Sequence, residues 1–198
     1  MSDLIDLLIA ALAGPAGITS DYDLNPGFEP LVTTKLRPAA VLVPIWRRPE
    51  GIQVVLTKRA SHLKHHPGQI AFPGGKVDKA DADVFATALR EAHEEIGLYP
   101  CAVNISGLLP AHETVTGFHI SPVLGLVRDD FQPVAERGEV EEVFTVPLEH
   151  VLQIKNYTIE GRNWMGQRRA YYAVPYGPYY IWGATARILR GLAERMTP

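Results

Sequence analysis

Between Gly74 and Leu98 the chain reads GGKVDKADADVFATALREAHEEIGL, and this stretch constrains the protein more than any other. Val84, Phe85, Ala88, Leu89, Ala92 and Ile96 recur at helical spacing, which predicts a helix with a core-facing stripe. Asp81 and Asp83 are candidates for its N-cap, and Gly97 supplies a left-handed stop. At about 100° per residue, Glu91, Glu94 and Glu95 share one flank beside that stripe. Carboxylates that close repel one another. The cluster becomes favourable when a divalent cation sits among the oxygens, and hard Mg²⁺ takes carboxylates together with substrate phosphates. Arg90 lies four residues before Glu94 and is placed to pair with it. A glutamate run is commonly no more than a solvated helix face. The apolar stripe, the caps and the double glycine around this one point instead to metal-assisted chemistry on a phosphorylated substrate.

Immediately upstream, Val55 to Gly75 reads VLTKRASHLKHHPGQIAFPGG. Lys58, Arg59, Lys64, His65 and His66 crowd basic groups ahead of a glycine-rich turn, an arrangement suited to an anion, although a solvated edge ending in a Pro67-Gly68 turn has the same composition. His65 and His66 are a poor metal pair, because neighbours on an extended segment point to opposite faces.

The two blocks together resemble the Nudix hydrolases. That family's signature runs glycine, five residues, Glu, seven residues, then Arg-Glu-apolar-any-Glu-Glu-any-Gly-apolar. Its second half is complete here from Arg90 to Leu98; its first half departs, with Asp81 in place of Glu and eight residues before Arg90. The upstream block is similar to the motif of the coenzyme A pyrophosphatase branch. Leu56, Thr57, Arg59, Gly68, Phe72, Pro73, Gly74 and Gly75 match, while Val55, Ala60-Ser61 and Lys64 depart. Lys64 stands where the motif has Arg, keeping the charge and losing the bidentate fork. Thr114 to His119, Glu139 to Pro147 and Trp182 to Ala186 are similar to further parts of that branch.

The resemblance implies a set of roles. Glu91 and Glu95 are the first choice for ligands of Mg²⁺ or Mn²⁺, Glu94 is a further or water-mediated ligand, and the Gly75 carbonyl completes the site. Arg90 orients the cluster. Glu139 is the general base, with Glu141 and Glu142 as alternatives. Arg59 and Lys64 contact anionic groups of a small-molecule nucleotide substrate within a block that includes Gly68, Gly74 and Gly75. The implied reaction splits the diphosphate of coenzyme A or its thioesters into 3′,5′-ADP and 4′-phosphopantetheine or its acyl form. ADP-ribose or NADH is the alternative substrate, and a non-catalytic nucleotide-binding regulatory module the alternative of another class. A homodimer is also suggested.

Mixed strands and few helices predict an α/β sandwich, which the resemblance narrows to a Nudix-type α/β/α sandwich with a mixed β-sheet. We expect one domain over residues 1–198, with residues 1–37 an N-terminal helix and linker extension. The helix is expected over Ser2 to Ala13 and the linker over Gly14 to Pro38. Strands are expected over Ala39–Trp46, Gln53–Lys58, Val103–Leu109, Ile120–Val127, Glu142–Pro147, Arg169–Val174 and Tyr179–Trp182, with helices over Leu148–Gln153 and Ala184–Arg195. Nineteen lysines and arginines against 22 aspartates and glutamates leave a formal net charge of −3, which gives no basic footprint for nucleic acid. The tyrosine-rich tail lacks interleaved basic residues, and is expected to pack a core or dimer contact. No apolar run approaches the roughly 20 residues of a membrane span. Asp3 and Asp6 oppose a signal-peptide reading of the N-terminus, and the single cysteine, Cys101, is compatible with a reducing compartment, so a cytoplasmic protein is expected.

Overall fold

The computed structural model describes residues 2–14, 17–26, 35–128, 131–164 and 166–196. In chain order its elements are α1 (Ser2–Leu12), β1 (Thr19–Ser20), β2 (Arg37–Arg48), β3 (Gly51–Arg59), β4 (Ile70–Ala71), β5 (Gly74–Lys76), α2 (Val84–Ile96), β6 (Val103–Leu108), β7 (His112–Glu113), β8 (Phe118–Val127), β9 (Val140–Pro147), α3 (Leu148–Leu152), β10 (Thr158–Trp164), β11 (Gln167–Ala173) and α4 (Ala184–Met196).

β2 and β3 are apolar at successive positions because both of their faces are covered. Ala40, Leu42, Trp46 and Val55 pack on Ala88, Ala92 and Ile96 of α2. Val43, Ile45, Val54 and Leu56 point the other way, onto Leu8 of α1, Leu148 and Val151 of α3, and Ile188, Leu189 and Leu192 of α4. The sheet between these cores is mixed: β2 pairs in parallel with β8 from Arg37↔Phe118 to Trp46↔Val127, whereas β3 runs antiparallel to β2 and β9, and β6 antiparallel to β8. Among the described residues nine strands belong to it, and β10 with β11 forms a separate hairpin. This is the α/β/α sandwich the sequence implied.

Two local expectations are corrected and one strand is added. Asp83, not Asp81, caps α2, accepting the Ala86 N–H at 2.8 Å, while Asp81 serves Arg90 as described below. Tyr179–Trp182 forms no strand. Only isolated bridges occur there, Tyr176↔Tyr179 and Ala173↔Trp182, since Pro175 and Pro178 remove ladder donors. β10 was not anticipated, because Thr158 to Trp164 has Gly161 at its centre and little apolar alternation.

The expected linker is only partly one. Residues 15–16 and 27–34 of it lie outside the described residues. Residues 19–25 are bound into the fold: β1 pairs in parallel with β7, and the His112 ring, fully buried, contacts Thr19 Oγ1 at 2.9 Å and Asp21 Oδ1 at 3.3 Å. Asn25, 5% exposed, treats Ala170 of β11 as a strand partner, donating to its carbonyl at 2.9 Å and accepting its N–H at 2.8 Å. Arg187 of α4 pairs with Asp23 at 2.8 Å. This polar attachment has no hydrophobic periodicity to announce it.

Removing the Asn25 side chain leaves both main-chain groups of Ala170 without their partner. Asn25→Ala is therefore expected to lower stability by about 2–3 kcal/mol in urea unfolding, against less than about 0.5 kcal/mol for the exposed Lys79→Ala. Equal midpoints for the two variants would show that the segment is not structurally attached.

Candidate active site

The double glycine brings strand and helix together. β5 lies antiparallel on β2, with Ala40 opposite Gly75 and Val41 opposite Gly74. A Cβ on Gly74 would stand 2.5 Å from the Ala40 carbonyl oxygen, and one on Gly75 would stand 2.5 Å from the Glu91 carboxylate. Only glycines admit this approach. Its product is a hydrogen bond from the Gly74 N–H to Glu95 Oε2 at 3.2 Å.

Arg90 organises the helix flank. Its guanidinium donates from Nε and Nη2 to the two oxygens of Asp81 at 2.9 and 3.0 Å, and from Nη1 to Glu91 Oε1 and Glu94 Oε2, both at 2.9 Å. Asp81 also accepts from Thr87 Oγ1 at 2.8 Å and from the Asp78 N–H at 2.9 Å. The Arg90 contact, followed by these bonds, holds the Asp81 carboxyl well below the usual carboxylate range. Asp81 thus explains the shortened residue and altered spacing noted in the sequence: its carboxylate reaches Arg90 from the turn before the helix. Sequence reasoning treated Asp81 as a cap and missed this role, which its bidentate match to an arginine could have signalled.

Glu91 and Glu95 share a flank of α2, and Glu139 faces that flank from the segment before β9. Glu136 N–H bonds to the Glu95 carbonyl at 2.9 Å and Val134 N–H to that of Ile96 at 3.0 Å, so the segment before β9 is fastened to the C-terminal end of α2. Glu139, exposed in the turn that follows, acts electrostatically on both helix carboxylates. Burial raises the Glu91 pKa, and Glu94 and Glu139 add to that rise against the opposing pull of Arg90. Glu95 is 5% exposed; burial, with Glu91 and Glu139 beside it, pushes its carboxyl up from 4.5 to about 8, against the Gly74 N–H and the Arg59 charge. The alternative bases are engaged elsewhere: Glu141 pairs with Lys58 at 2.6 Å and Glu142 accepts the Tyr179 hydroxyl at 2.6 Å. Glu94 is turned outward onto Arg90, with 56% of its side chain exposed.

The upstream block lies across from this flank. Arg59 ends β3, its charge opposing the rise at Glu95, and its Nε is buried without a hydrogen-bond partner. Lys64 is exposed on the following loop. That loop closes through Gly68, at φ +68° with its N–H on the Arg59 carbonyl at 3.1 Å. His66, two residues earlier, holds φ +55°, unusual for a residue with a Cβ, and its ring senses Arg59.

The NUDIX domain model matches residues 35–166. The chain belongs to the Nudix family. It is 46% identical over 157 residues to a protein of Enterobacter sp. (strain 638) called uncharacterized Nudix hydrolase NudL, covering 79% of this chain and 81% of that one. A Salmonella paratyphi B protein of the same name is 44% identical over 161 residues, covering 81% and 83%. Among solved structures, the Nudix hydrolase RenU of M. smegmatis shares the fold, with a TM-score of 0.50, 24% identity and coverage of 60% of this chain and 74% of that one. The protein is thus a Nudix pyrophosphohydrolase, with its matched region carrying the glycine turn, the acid helix and Glu139. No helix among the described residues is long and apolar enough to cross a membrane.

Nudix hydrolases are generally dependent on divalent metals, and the acid flank offers the carboxylates such an ion takes. Among the described residues no group of three or more His, Cys, Asp or Glu side chains converges as a metal site, and Arg90 engages Glu94 and one oxygen of Glu91. Glu95 is nonetheless a buried carboxylate with two more carboxylates acting on it, which is the excess of negative charge that a divalent cation relieves.

A raised carboxyl pKa stabilises the fold only while the group is protonated. In EDTA the protein should lose roughly 2–4 kcal/mol of stability as pH rises from 4.5 to 8, the window set by Glu95. Glu95→Gln should flatten that slope in urea unfolding. An unchanged slope in the variant would remove Glu95 as its source.

Proposed function

We propose that this Nudix hydrolase cleaves the diphosphate of coenzyme A or its thioesters, releasing 3′,5′-ADP and 4′-phosphopantetheine or its acyl form. The carrying observation is Arg59: it stands in the Val55 to Gly75 block, which resembles the coenzyme A branch motif, within electrostatic reach of Glu95 and with a buried Nε lacking a partner. A guanidinium so placed is suited to an anionic substrate group.

Glu91 and Glu95 would hold Mg²⁺ or Mn²⁺, with Glu94 as an outer or water-mediated ligand and the Gly75 carbonyl beside them. When bound, the metal neutralises diphosphate charge and lowers the pKa of a coordinated water. Arg59, with Lys64 on the loop, binds phosphate oxygens, while Gly68, Gly74 and Gly75 keep the backbone close to the substrate. Arg90, fixed by Asp81, positions the helix carboxylates. Glu139 accepts the proton of the attacking water, whose oxygen bonds to one phosphorus as the bridging P–O bond breaks and the other phosphate departs.

Mass spectrometry of products from coenzyme A, ADP-ribose and NADH with Mg²⁺ tests this reading. We expect 3′,5′-ADP and 4′-phosphopantetheine from coenzyme A, with kcat lowered about 10²–10⁴-fold in Glu139→Gln at little change in KM. Cleavage of ADP-ribose or NADH with coenzyme A left intact would overturn the substrate assignment. Nucleotide binding without any product would instead indicate a non-catalytic module.

A further inference from the structure

Two tyrosine pairs in the C-terminal third point in opposite directions. Tyr172 and Tyr179 pack against the core, with Tyr179 stacked on Phe144 at 3.6 Å. Their neighbours do not. Tyr171 meets the half-buried Trp182 at 5.0 Å in a tilted pair, and its hydroxyl contacts that of Tyr180 at 3.3 Å. Tyr180 remains 45% exposed, and the Arg162 guanidinium stands 5.5 Å from the Trp182 ring centroid. Glu160, exposed and opposite Tyr171 in the hairpin, acts on Tyr180. An aromatic group that served packing alone would be turned inward like Tyr179.

This cluster leads through the turn after Trp182 to the Val55–Gly75 block. The turn that follows Trp182 is fixed to the substrate block: Thr185 Oγ1 donates to the Ile70 carbonyl at 3.0 Å, and the Gln69 side chain lies 3.7 Å from where a Gly183 Cβ would stand. Gln69 in turn accepts the Arg59 N–H at 3.0 Å. Arg169, which shares a strand face with Tyr171, donates from Nη2 to the Asp21 carbonyl at 3.3 Å. A nucleotide whose diphosphate lies at Arg59 therefore has aromatic surface available on the flank of that same block.

We propose that Tyr171, Tyr180 and Trp182 form the seat of the substrate's nucleobase, stacked on the aromatic surface and framed by Arg162 and Glu160. The π-face of a base matches aromatic rings in this way whatever its hydrogen-bonding pattern. The seat rests on the reading of the site as one for small nucleotides, and it holds equally for coenzyme A, ADP-ribose or NADH, all of which carry adenine.

Calorimetric titration with ADP and with inorganic pyrophosphate, in EDTA, tests the seat without turnover. Trp182→Ala should weaken ADP about tenfold, Trp182→Phe should restore most of that loss, and pyrophosphate should bind all variants alike. Tyr180→Ala, at an exposed position that cannot unfold the core, should weaken ADP severalfold by itself. The seat is overturned if wild type binds ADP no better than pyrophosphate, if Tyr180→Ala and a folded Trp182→Ala bind ADP as wild type does, or if both ligands weaken in parallel. It is equally overturned if light scattering shows that the variants change the number of associated copies while leaving ADP affinity untouched. Failure of coenzyme A cleavage with these binding results intact would discard the substrate assignment and leave the seat standing.

Discussion

The active-site end of the molecule depends on one guanidinium. Arg90 joins Asp81 in the turn, Glu91 and Glu94 on the helix and the Lys76 carbonyl on β5, so three separately folded pieces share one cation. Its fork donates along two edges at fixed angles, which an ammonium does not do, and each edge defines where a carboxylate oxygen must be. Without it, the acid flank would place several like charges on a half-buried helix face with only the Gly74 N–H and the more distant Arg59 to oppose them. Arg90 also acts unevenly. It pairs with Glu91 and Glu94, and leaves the more deeply buried Glu95 carrying the burial penalty. The arrangement keeps one carboxylate strained in charge and the others in place.

Close backbone contact is the second constraint. α2 approaches β5 only because Gly74 and Gly75 lack side chains, and residues 134–136 bond to the last carbonyls of α2, which fastens the segment leading to Glu139 beside that helix end. Helix ends leave such carbonyls unpaired, and here they serve as attachment points for the segment that brings the third acid. Position in the site is thus set by main-chain hydrogen bonds, with side chains projecting from a frame that is already fixed.

These features differ in how far the sequence revealed them. The α2 stripe, its Gly97 stop and the strands through Val43, Val55 and Val123 were legible because burial imposes a period on apolar residues. The acid cluster was legible because three carboxylates on one flank conflict with simple charge repulsion. Asp81 was not, since a capping aspartate and an arginine-binding aspartate look alike until the turn is folded. Neither was the attachment of residues 19–25, where His112, Asn25 and Arg187 reach across 90 residues or more. Polar contacts between distant segments leave no local pattern. The same holds for Tyr171 and Tyr172: adjacent in sequence and identical in type, they separate into outward and inward roles only once a strand sets their faces.

The chain ends and the family core contribute different things. Residues 35–166 hold the glycine turn, the acid helix and Glu139, whereas β11, the Trp182 turn, α4 and residues 19–25 lie outside that match and are tied to one another through Asn25, Asp23 and Arg187. Chemistry at phosphorus needs charges fixed to within tenths of an ångström, and the core provides them from adjacent main-chain frames. On the proposed reading, recognition of the rest of the nucleotide falls to the surfaces that these polar ties between the ends hold. Arg59 is where the two meet: its charge bears on Glu95 on one side and on His66 on the other, and its main-chain N–H binds the Gln69 that borders the Trp182 turn. On the proposed reading, a substitution at Arg59 acts on both the reacting diphosphate and the placement of the group attached to it, whereas one at Trp182 acts on the second alone.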